Sequence, residues 1–580
     1  MKQIYVIALI FLPFMGFSQL KVTPENNKDH YVYVEKSMLF VEQGVDLTLN
    51  SSEDRKASIY LRDEAQLLQG KSSKNNTGNG LLSVFQEGKA SNYTYNYWCA
   101  PVINVSGNTS FGNILFEPVD KTWSVPAKIT GGLDGISNPL TISNKWIYKL
   151  AGKAYSDWLY IGKTFDISPG EGFTMKGVSG KNTGVIIYDV PNNPGQQQRY
   201  DFRGQPNNGE ISLPLKEGAS LLTGNPYPSA LDLNLLLTQN PNTTGIAYFW
   251  DSRPISSHYL NDYEGGYGAY SPAAGNEGYV PAVFTRYDQS GNSIPTNTTG
   301  EYYARRYSPI AQGFVVIGRK DGDFVIKNAY RAFVKENTEV SEFKSQIQSE
   351  KTISDSKSFR LDIGFHSYTR ELLYVSRNDA TTGADWAMDA KNISSLSSDA
   401  GFVIDSEDYL IDVRPYELAD VIPLHIKTAE NDTITFAISA SENMPDDVFI
   451  LDTLSHIYHD LKAEDFKVSL EKGDYSGRFK ITFKNLKVVL EHPLPKDQIQ
   501  EYSLFQNNPL SRMEIRTPSP AYPIQIHLYD VRGREIIKLP VDKNENYYEI
   551  PTHKLSKGVY VVKIIGPDGP IVSKKLIISN

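Results

Sequence analysis

The sequence predicts an all-β protein built from several β-rich domains. Apolar residues recur at every second position in short runs, the period of a strand with one buried face. Tyr is plentiful at 36 residues and aromatics reach 12%, as strands favour. Gly, at 43, and Pro, at 32, punctuate these runs with turns.

A chain of 580 residues divides into three or four domains at ~100–200 residues each. From Leu20 to about Ala90 it reads as short strands with polar turns. Tyr31-Val32-Tyr33-Val34 and Ala57-Ser58-Ile59-Tyr60-Leu61 are two such strands, and Asn75-Asn76-Thr77-Gly78-Asn79-Gly80 is a turn-rich loop. Residues 92–335 are dense in Gly, Pro, Asn and Tyr, so 20–335 is expected to be one β-rich region. Within it, Ser168-Pro169-Gly170-Glu171-Gly172-Phe173 and Ser308-Pro309-Ile310-Ala311-Gln312-Gly313-Phe314 each set a Pro turn before an apolar strand. Upstream of each lies a Pro-rich aromatic turn, at Trp98 to Val102 and at Asn225 to Pro228. The pattern predicts two diverged copies of one β unit, about 93–215 and 220–333.

Residues 336–357 are polar, with few apolar side chains, and read as a linker. In 358–490, Phe359, Leu361 and Ile363 alternate with Arg360 and Asp362, and Phe479, Ile481 and Phe483 with Lys480 and Thr482. Each run is a strand with one wet face, which predicts an antiparallel β-sandwich. Pro493 and Pro495 mark a hinge over 491–502. The last stretch, 503–580, is a small all-β module: Ile526 and Leu528 alternate with Gln525 and His527, Asp530-Val531-Arg532-Gly533 turns, and Tyr560, Val562 and Ile564 share a face.

The motifs of that module carry a resemblance. Gln506-Asn507-Asn508-Pro509, then Asp530, Gly533 and Arg534 in Tyr-Asp-x-x-Gly-Arg, then Leu555, Gly558 and Tyr560 in Leu-x-x-Gly-x-Tyr, and finally Lys574-Lys575 before aliphatics, stand in a fixed order at the chain end. The module resembles the type A C-terminal sorting domain of the type IX secretion system of Bacteroidetes, an immunoglobulin-like β-sandwich. Gln506-Asn507-Asn508-Pro509 departs from the Tyr-Pro-Asn-Pro run more usual there, which leaves the first turn open. The resemblance implies export across the outer membrane, the type IX machinery as partner, and a secreted or surface-attached destination. Tyr95 to Val102, Leu222 to Ala230 and the two Ser-Pro strings are similar to ones in large uncharacterised flavobacterial surface proteins with this sorting domain.

The other end agrees. Lys2 supplies positive charge, an apolar stretch runs from Ile4 to Phe17, and Gly16-Phe17-Ser18-Gln19 offers small and polar residues for cleavage. Residues 1–19 read as a signal peptide for the Sec translocon, cut after Gln19. Its apolar core falls short of the ~20 residues of a membrane span, and no transmembrane segment is expected in the mature chain.

Composition and motifs then limit the chemistry. The net charge of -9, without a basic stripe, excludes nucleic acid as a partner. The single Cys, Cys99, excludes an intrachain disulfide and a cysteine metal cage, and reads as a small buried apolar residue. No His-Glu-x-x-His pair, Gly-x-Ser-x-Gly elbow or complete phosphate loop occurs, since Ala65 stands where Gly70-Lys71-Ser72 would need its first Gly. Asp321-Gly322-Asp323 and Asn261-Asp262-Tyr263-Glu264 read as solvated turns rather than calcium loops. No catalytic residue, metal or cofactor is therefore assigned. Asp432-Thr433-Ile434 and Asp452-Thr453-Leu454 resemble the Bacteroidetes O-glycosylation site, though strand-edge residues read the same way.

Sugar binding is the best ligand hypothesis. Five of the six Trp precede the linker, and Tyr263, Tyr267 and Tyr270 lie in a Gly-rich stretch. Trp98, Tyr263, Tyr267 and Tyr270 are the candidate ligand residues, because exposed rings stack on sugar faces. Core packing of the same rings is the competing reading. The expected function is a structural or adhesin-like surface protein with surface glycans as partners. A secreted glycan-binding module or polysaccharide-active enzyme is the alternative.

Overall fold

The computed structural model describes residues 19–50, 56–71, 75–88, 90–104, 113–162, 164–165, 167–179, 186–187, 190–191, 198–287, 293–336, 341, 357–394, 396–485, 503–508, 510–516, 525–540, 547–566 and 569–579. The leader up to Ser18, nearly all of the polar linker and the hinge at 491–502 lie outside them. The chain forms two compact units, Met1–Ile450 with His459–Phe483, and Leu451–Tyr458 with Lys484–Asn580.

The fold is all-β, as the period-two runs imply. It begins with a feature that the alternation did not reveal, a short parallel solenoid. Strands β1 (Leu20–Val22), β2 (Val32–Glu35) and β3 (Met38–Val41) form a first rung. Strands β4 (Val45–Leu47), β5 (Ile59–Arg62) and β6 (Gln66–Gln69) stack on them as a second. A partial third follows in β7 (Thr77–Gly78) and β8 (Leu82–Gly88). Pairing between rungs is parallel, with Leu20 beside Val45, Val32 beside Ile59, Leu39 beside Leu67, and Ile59 beside Leu82. Beneath the rungs, Arg62 and Ser83 join Asp201, Arg203 and Ser124 in a polar network, each residue at most 2% exposed. Ser83 Oγ donates to Asp201 Oδ1 at 2.7 Å and Arg203 Nε to Asp201 Oδ2 at 2.5 Å.

The chain continues through β9 (Tyr95–Cys99), β10 (Tyr148–Gly152), β11 (Trp158–Tyr160), β12 (Gly172–Lys176), β13 (Gln198–Pro206), β14 (Ile211–Leu215) and β15 (Ser220–Gly224). After the short helix α1 (Leu233–Thr238), capped by Asp232, come β16 (Thr243–Ser252), β17 (Gly265–Tyr270), β18 (Val283–Tyr287), β19 (Ser293–Thr299), β20 (Gly313–Gly318) and β21 (Gly322–Ile326). A central sheet runs β11-β10-β15-β20-β16-β17-β18-β19. Neighbouring residues on its strands enter different cores. Leu221, Val316, Phe249 and Tyr270 pack with α1, while Leu222, Val315, Tyr248 and Ala269 face the opposite way.

Two sets of four strands in this region share one pattern. Strand β9 pairs antiparallel with β12 and β8 with β13. Strand β15 pairs antiparallel with β20 and β14 with β21. Cys99 opposes Gly172 in the first set, and Gly224 opposes Gly313 in the second. The Ser-Pro strings make matching turns. Glu171 N donates to Ser168 O with Gly170 at φ +85, and Gln312 N to Pro309 O with Ala311 at φ +65. These left-handed third positions are those of a type II turn. The sets also clasp each other. A Cβ on Gly172 would stand 2.7 Å from Thr223 O, and one on Gly313 would stand 2.6 Å from the Tyr97 carbonyl carbon.

Residues 358–483 supply β22 (Ser358–Gly364), β23 (Thr369–Ser376), β24 (Asp399–Ile404), β25 (Glu407–Arg414), β26 (Val421–Thr428), β27 (Asp432–Glu442), β28 (Phe466–Leu470) and β29 (Phe479–Thr482), in the order β29-β26-β24-β25-β23-β22-β27-β28. These pairs are antiparallel except β23 with β25. Phe359, Leu361, Ile363, Phe479, Ile481 and Phe483 are buried, as their alternation predicts. They share one core with Tyr248, Ala269 and Val283 of the central sheet. Trp386 Nε1 donates to Thr243 O at 2.9 Å, and Arg360 Nη1 to Tyr279 O at 3.0 Å.

The terminal module is a β-sandwich. Strands β30 (Ser503–Asn507), β31 (Arg512–Arg516), β32 (Gln525–Asp530), β33 (Glu535–Pro540), β34 (Tyr547–Pro551), β35 (Gly558–Gly566) and β36 (Gly569–Ile578) form the sheets β30-β31-β34 and β33-β32-β35-β36. Ile526, Leu528, Val562, Ile564 and Leu576 of one sheet share a core with Leu504, Met513, Ile515 and Ile550 of the other.

Candidate functional site

Strand period sorts the aromatic side chains of β9. Trp98 points to the solenoid side, 1% exposed, with Tyr200 edge-on at 5.5 Å and Phe202 at 5.6 Å. Tyr95 and Tyr97 point the other way, onto the face of the central sheet that carries Leu222 and Val315. There Tyr97 meets Trp158 of β11, Trp250 of β16 and Tyr267 of β17, with ring centroids at 6.0, 6.1 and 6.3 Å. Trp250 and Tyr267 meet edge-on at 5.2 Å, and the hydroxyls of Tyr97 and Tyr267 lie 2.8 Å apart. Trp158, Trp250 and Tyr267 are half-buried, so this end of the face is partly open. Trp250 Nε1 has no hydrogen-bond partner.

The four candidate ligand residues therefore have different places. Tyr267 belongs to the half-open row. Tyr263 is 8% exposed and turns its ring toward Tyr95 at 5.6 Å. Tyr270 is fully enclosed and donates to Asn234 Oδ1 at 2.6 Å, and burial raises its hydroxyl well above the usual tyrosine range. Trp98 and Tyr270 have no open ring face for a sugar. Tyr267 lies on the strand face opposite Tyr270, which a loop reading of the Gly-rich stretch could not separate.

Beside the row lies a group with no motif. Lys176, at the end of β12, is 3% exposed. Its Nζ stands 3.7 Å from the centroid of Trp146, 4.7 Å from that of Tyr263 and 5.0 Å from that of Tyr95. His258 Nδ1 is 3.1 Å from Nζ, and His258 Nε2 is 2.9 Å from Asp134 Oδ1, which Asn92 Nδ2 also reaches. The Trp146 and His258 rings stack at 5.1 Å and 11°. The two ring nitrogens of His258 thus bridge the Lys176 amine and the Asp134 carboxylate. Burial pushes the Lys176 amine down to about 7, against the pull of Asp134. The side chains come from four distant segments, and a Lys in an alternating strand reads as wet, so only the folded chain assembles them.

Other readings find ordinary surroundings. Cys99 is fully buried, and desolvation pushes its thiol up, which favours the protonated form. Among the described residues no three His, Cys, Asp or Glu side chains converge as a metal site. Asp321 pairs with the exposed Lys216 at 2.9 Å, and Glu264 with Arg253 at 3.3 Å. Thr433 is exposed at the start of β27 with its Oγ1 3.2 Å from Ser469 Oγ, and Asp452 is buried.

In the terminal module Asp530 organises its turn. Its Oδ1 accepts from Arg532 N at 2.9 Å and Arg534 N at 3.0 Å, and Gly533 takes φ +79. The Arg534 backbone N–H bond, first among the causes, holds the Asp530 carboxyl below the usual range. Tyr560 is buried and donates to Ser556 O at 2.8 Å. Leu555 packs against the module core, Gly558 opens β35, and Lys574 and Lys575 are exposed on β36.

Two families match the chain. One, described as a domain of unknown function (DUF8693), matches residues 19–483, and one described as a secretion system C-terminal sorting domain matches 508–579. No curated protein matches. Among solved structures, the extracellular domain of BT4673 from B. thetaiotaomicron is 10% identical with a TM-score of 0.11, covering 57% of this chain and 49% of that one. The BSP domain of a biofilm associated protein is 8% identical with a TM-score of 0.14, covering 85% of this chain and 98% of that one.

Proposed function

Given that this chain belongs to the family described as a domain of unknown function (DUF8693) and is a type IX secretion cargo of Bacteroidetes, secreted or held at the cell surface, we propose that it is an adhesive surface protein that grips polymer at the aromatic row of its central sheet. The observation that carries the reading is the row of Tyr97, Trp158, Trp250 and Tyr267, in which the last three rings are only half-buried. Rings with polar edges suit the apolar faces and hydroxyls of a glycan. Rigid sheets on both sides hold the row in place, so little order is lost on binding. The reading requires no catalytic group.

Probing an array of glycans and surface polymers with the exported protein tests it. Binding that falls at least tenfold in both Trp250→Ala and Tyr267→Ala, with the fold intact, is the expected result. Equal binding by the parent and both variants would remove the aromatic row from the function.

The same proposal includes a leader removed after Gln19 and two diverged copies of one β unit between residues 93 and 333. The matched strand pairs and the two left-handed turn residues support the duplication. Superposition of the two four-strand sets tests it, and strands that cannot be overlaid in the same order would refute it.

A further inference from the structure

The solenoid has an end that no described strand covers. Its second rung has a sealed interior: Val45, Leu47, Ile59, Leu61 and Leu67 are at most 1% exposed. Their partners one rung earlier are Leu20, Val22, Val32, Val34 and Leu39. Of these only Val22 is buried, and the other four are half-open. Residue types and inward directions are alike in the two rungs, so the difference comes from stacking. The second rung has a neighbour on each side. Among the described strands, β1, β2 and β3 have a parallel neighbour on one side alone.

The rim of that first rung carries exposed apolar side chains among its charges. Tyr31, Met38 and Phe40 are 55%, 42% and 53% exposed. Stacked-repeat proteins need a polar cap at each end to stay soluble and unpaired, and a bare strand edge templates association. This end has no Pro in β1, β2 or β3.

We propose that the open first rung is the docking surface for a second copy of this chain, rung against rung. A cover for this rung must present a compact set of aliphatic side chains at rung spacing, and the same rung of another copy presents that set. Charge fits the same occupant. Between Leu20 and Val41 the side chains are Lys21, Lys28 and Lys36 against Glu25, Asp29 and Glu35, so the end is balanced within a chain of net charge -9. Two such ends meet without the repulsion that the rest of the acidic surface would impose. A contact between like ends closes on itself and stops at two copies. The proposal is independent of the aromatic row.

Sedimentation of the exported protein over a wide concentration range tests it. A mass that rises twofold with concentration, and that stays at the single-chain value in both Tyr31→Lys and Phe40→Lys, is expected. Phe40 is 53% exposed in the single chain, so Phe40→Lys should leave thermal stability at low concentration unchanged, whereas Tyr31→Lys also gives up the edge-on contact with Tyr60. Slower amide exchange across Tyr31–Val41 at high concentration should accompany the doubling. A single-chain mass at every concentration, or a dimer that both variants retain, overturns the proposal. A lone chain whose first rung is nevertheless protected from exchange would be covered by its own residues, which also overturns it.

Discussion

Lys176 Nζ sits 3.1 Å from His258 Nδ1, inside a box formed by Trp146, Tyr263 and Tyr95. The pair pins the segment that carries His258 and Tyr263 to the end of β12, beside the aromatic row.

Burial of that amine makes stability depend on pH. Burial pushes the Lys176 amine down to about 7 in the folded chain, against ~10.4 when unfolded. Between those values the unfolded chain holds the extra proton, so stability rises with pH across the window and is least below it. The melting temperature of the parent should therefore gain ~2–4 °C more between pH 7 and 9 than that of Lys176→Met. Parallel melting curves for the two proteins would remove Lys176 from the account.

The polar network under the solenoid rungs predicts a larger cost. Asp201 is fully buried and accepts from Arg203, Ser83 and Ser124. Asp201→Ala leaves a buried guanidinium without its counter-ion, a change that costs about 3–5 kcal/mol. Urea denaturation should show it as a lower midpoint with an unchanged slope.

The left-handed turn residues give a contrasting pair. A side chain on Gly170 meets both φ +85 and the Ile211 methyl, which lies 2.8 Å from where its Cβ would stand. Gly170→Ala should destabilise by about 1–3 kcal/mol. Ala311→Gly relieves φ +65 but loosens the unfolded chain, and should change stability by less than about 1 kcal/mol. Thermal unfolding of both variants checks the difference.

Removal of residues 503–580 should leave the protein on the periplasmic side of the outer membrane, because the module is the export address. Cell fractionation and surface labelling read the outcome. Undiminished surface delivery would contradict it.

The class of fold was legible because local alternation survives folding. Phe359, Leu361 and Ile363, and Tyr560, Val562 and Ile564, are buried as their spacing requires. The Asp530–Gly533 turn was legible because its residue types serve only a few backbone shapes. The solenoid was not. Leu20 beside Val45 and Val32 beside Ile59 are pairings between strands far apart in the chain, and a lone strand looks the same in parallel and antiparallel neighbourhoods. Ring exposure was hidden for a similar reason. Trp98 and Tyr97 are adjacent residues, yet one packs with Tyr200 and the other with Trp250. The Lys176 group had no local signal, since its parts meet only after distant segments pack.

The clasp between the two four-strand sets has a mechanical consequence. Gly172 lies against Thr223 of the opposite set, and Gly313 against Tyr97. Each set thus grips the other's inner strand, and tension on one is shared by both. Whether the protein is released or held at the surface, neither set can start to unravel strand by strand without loosening the other.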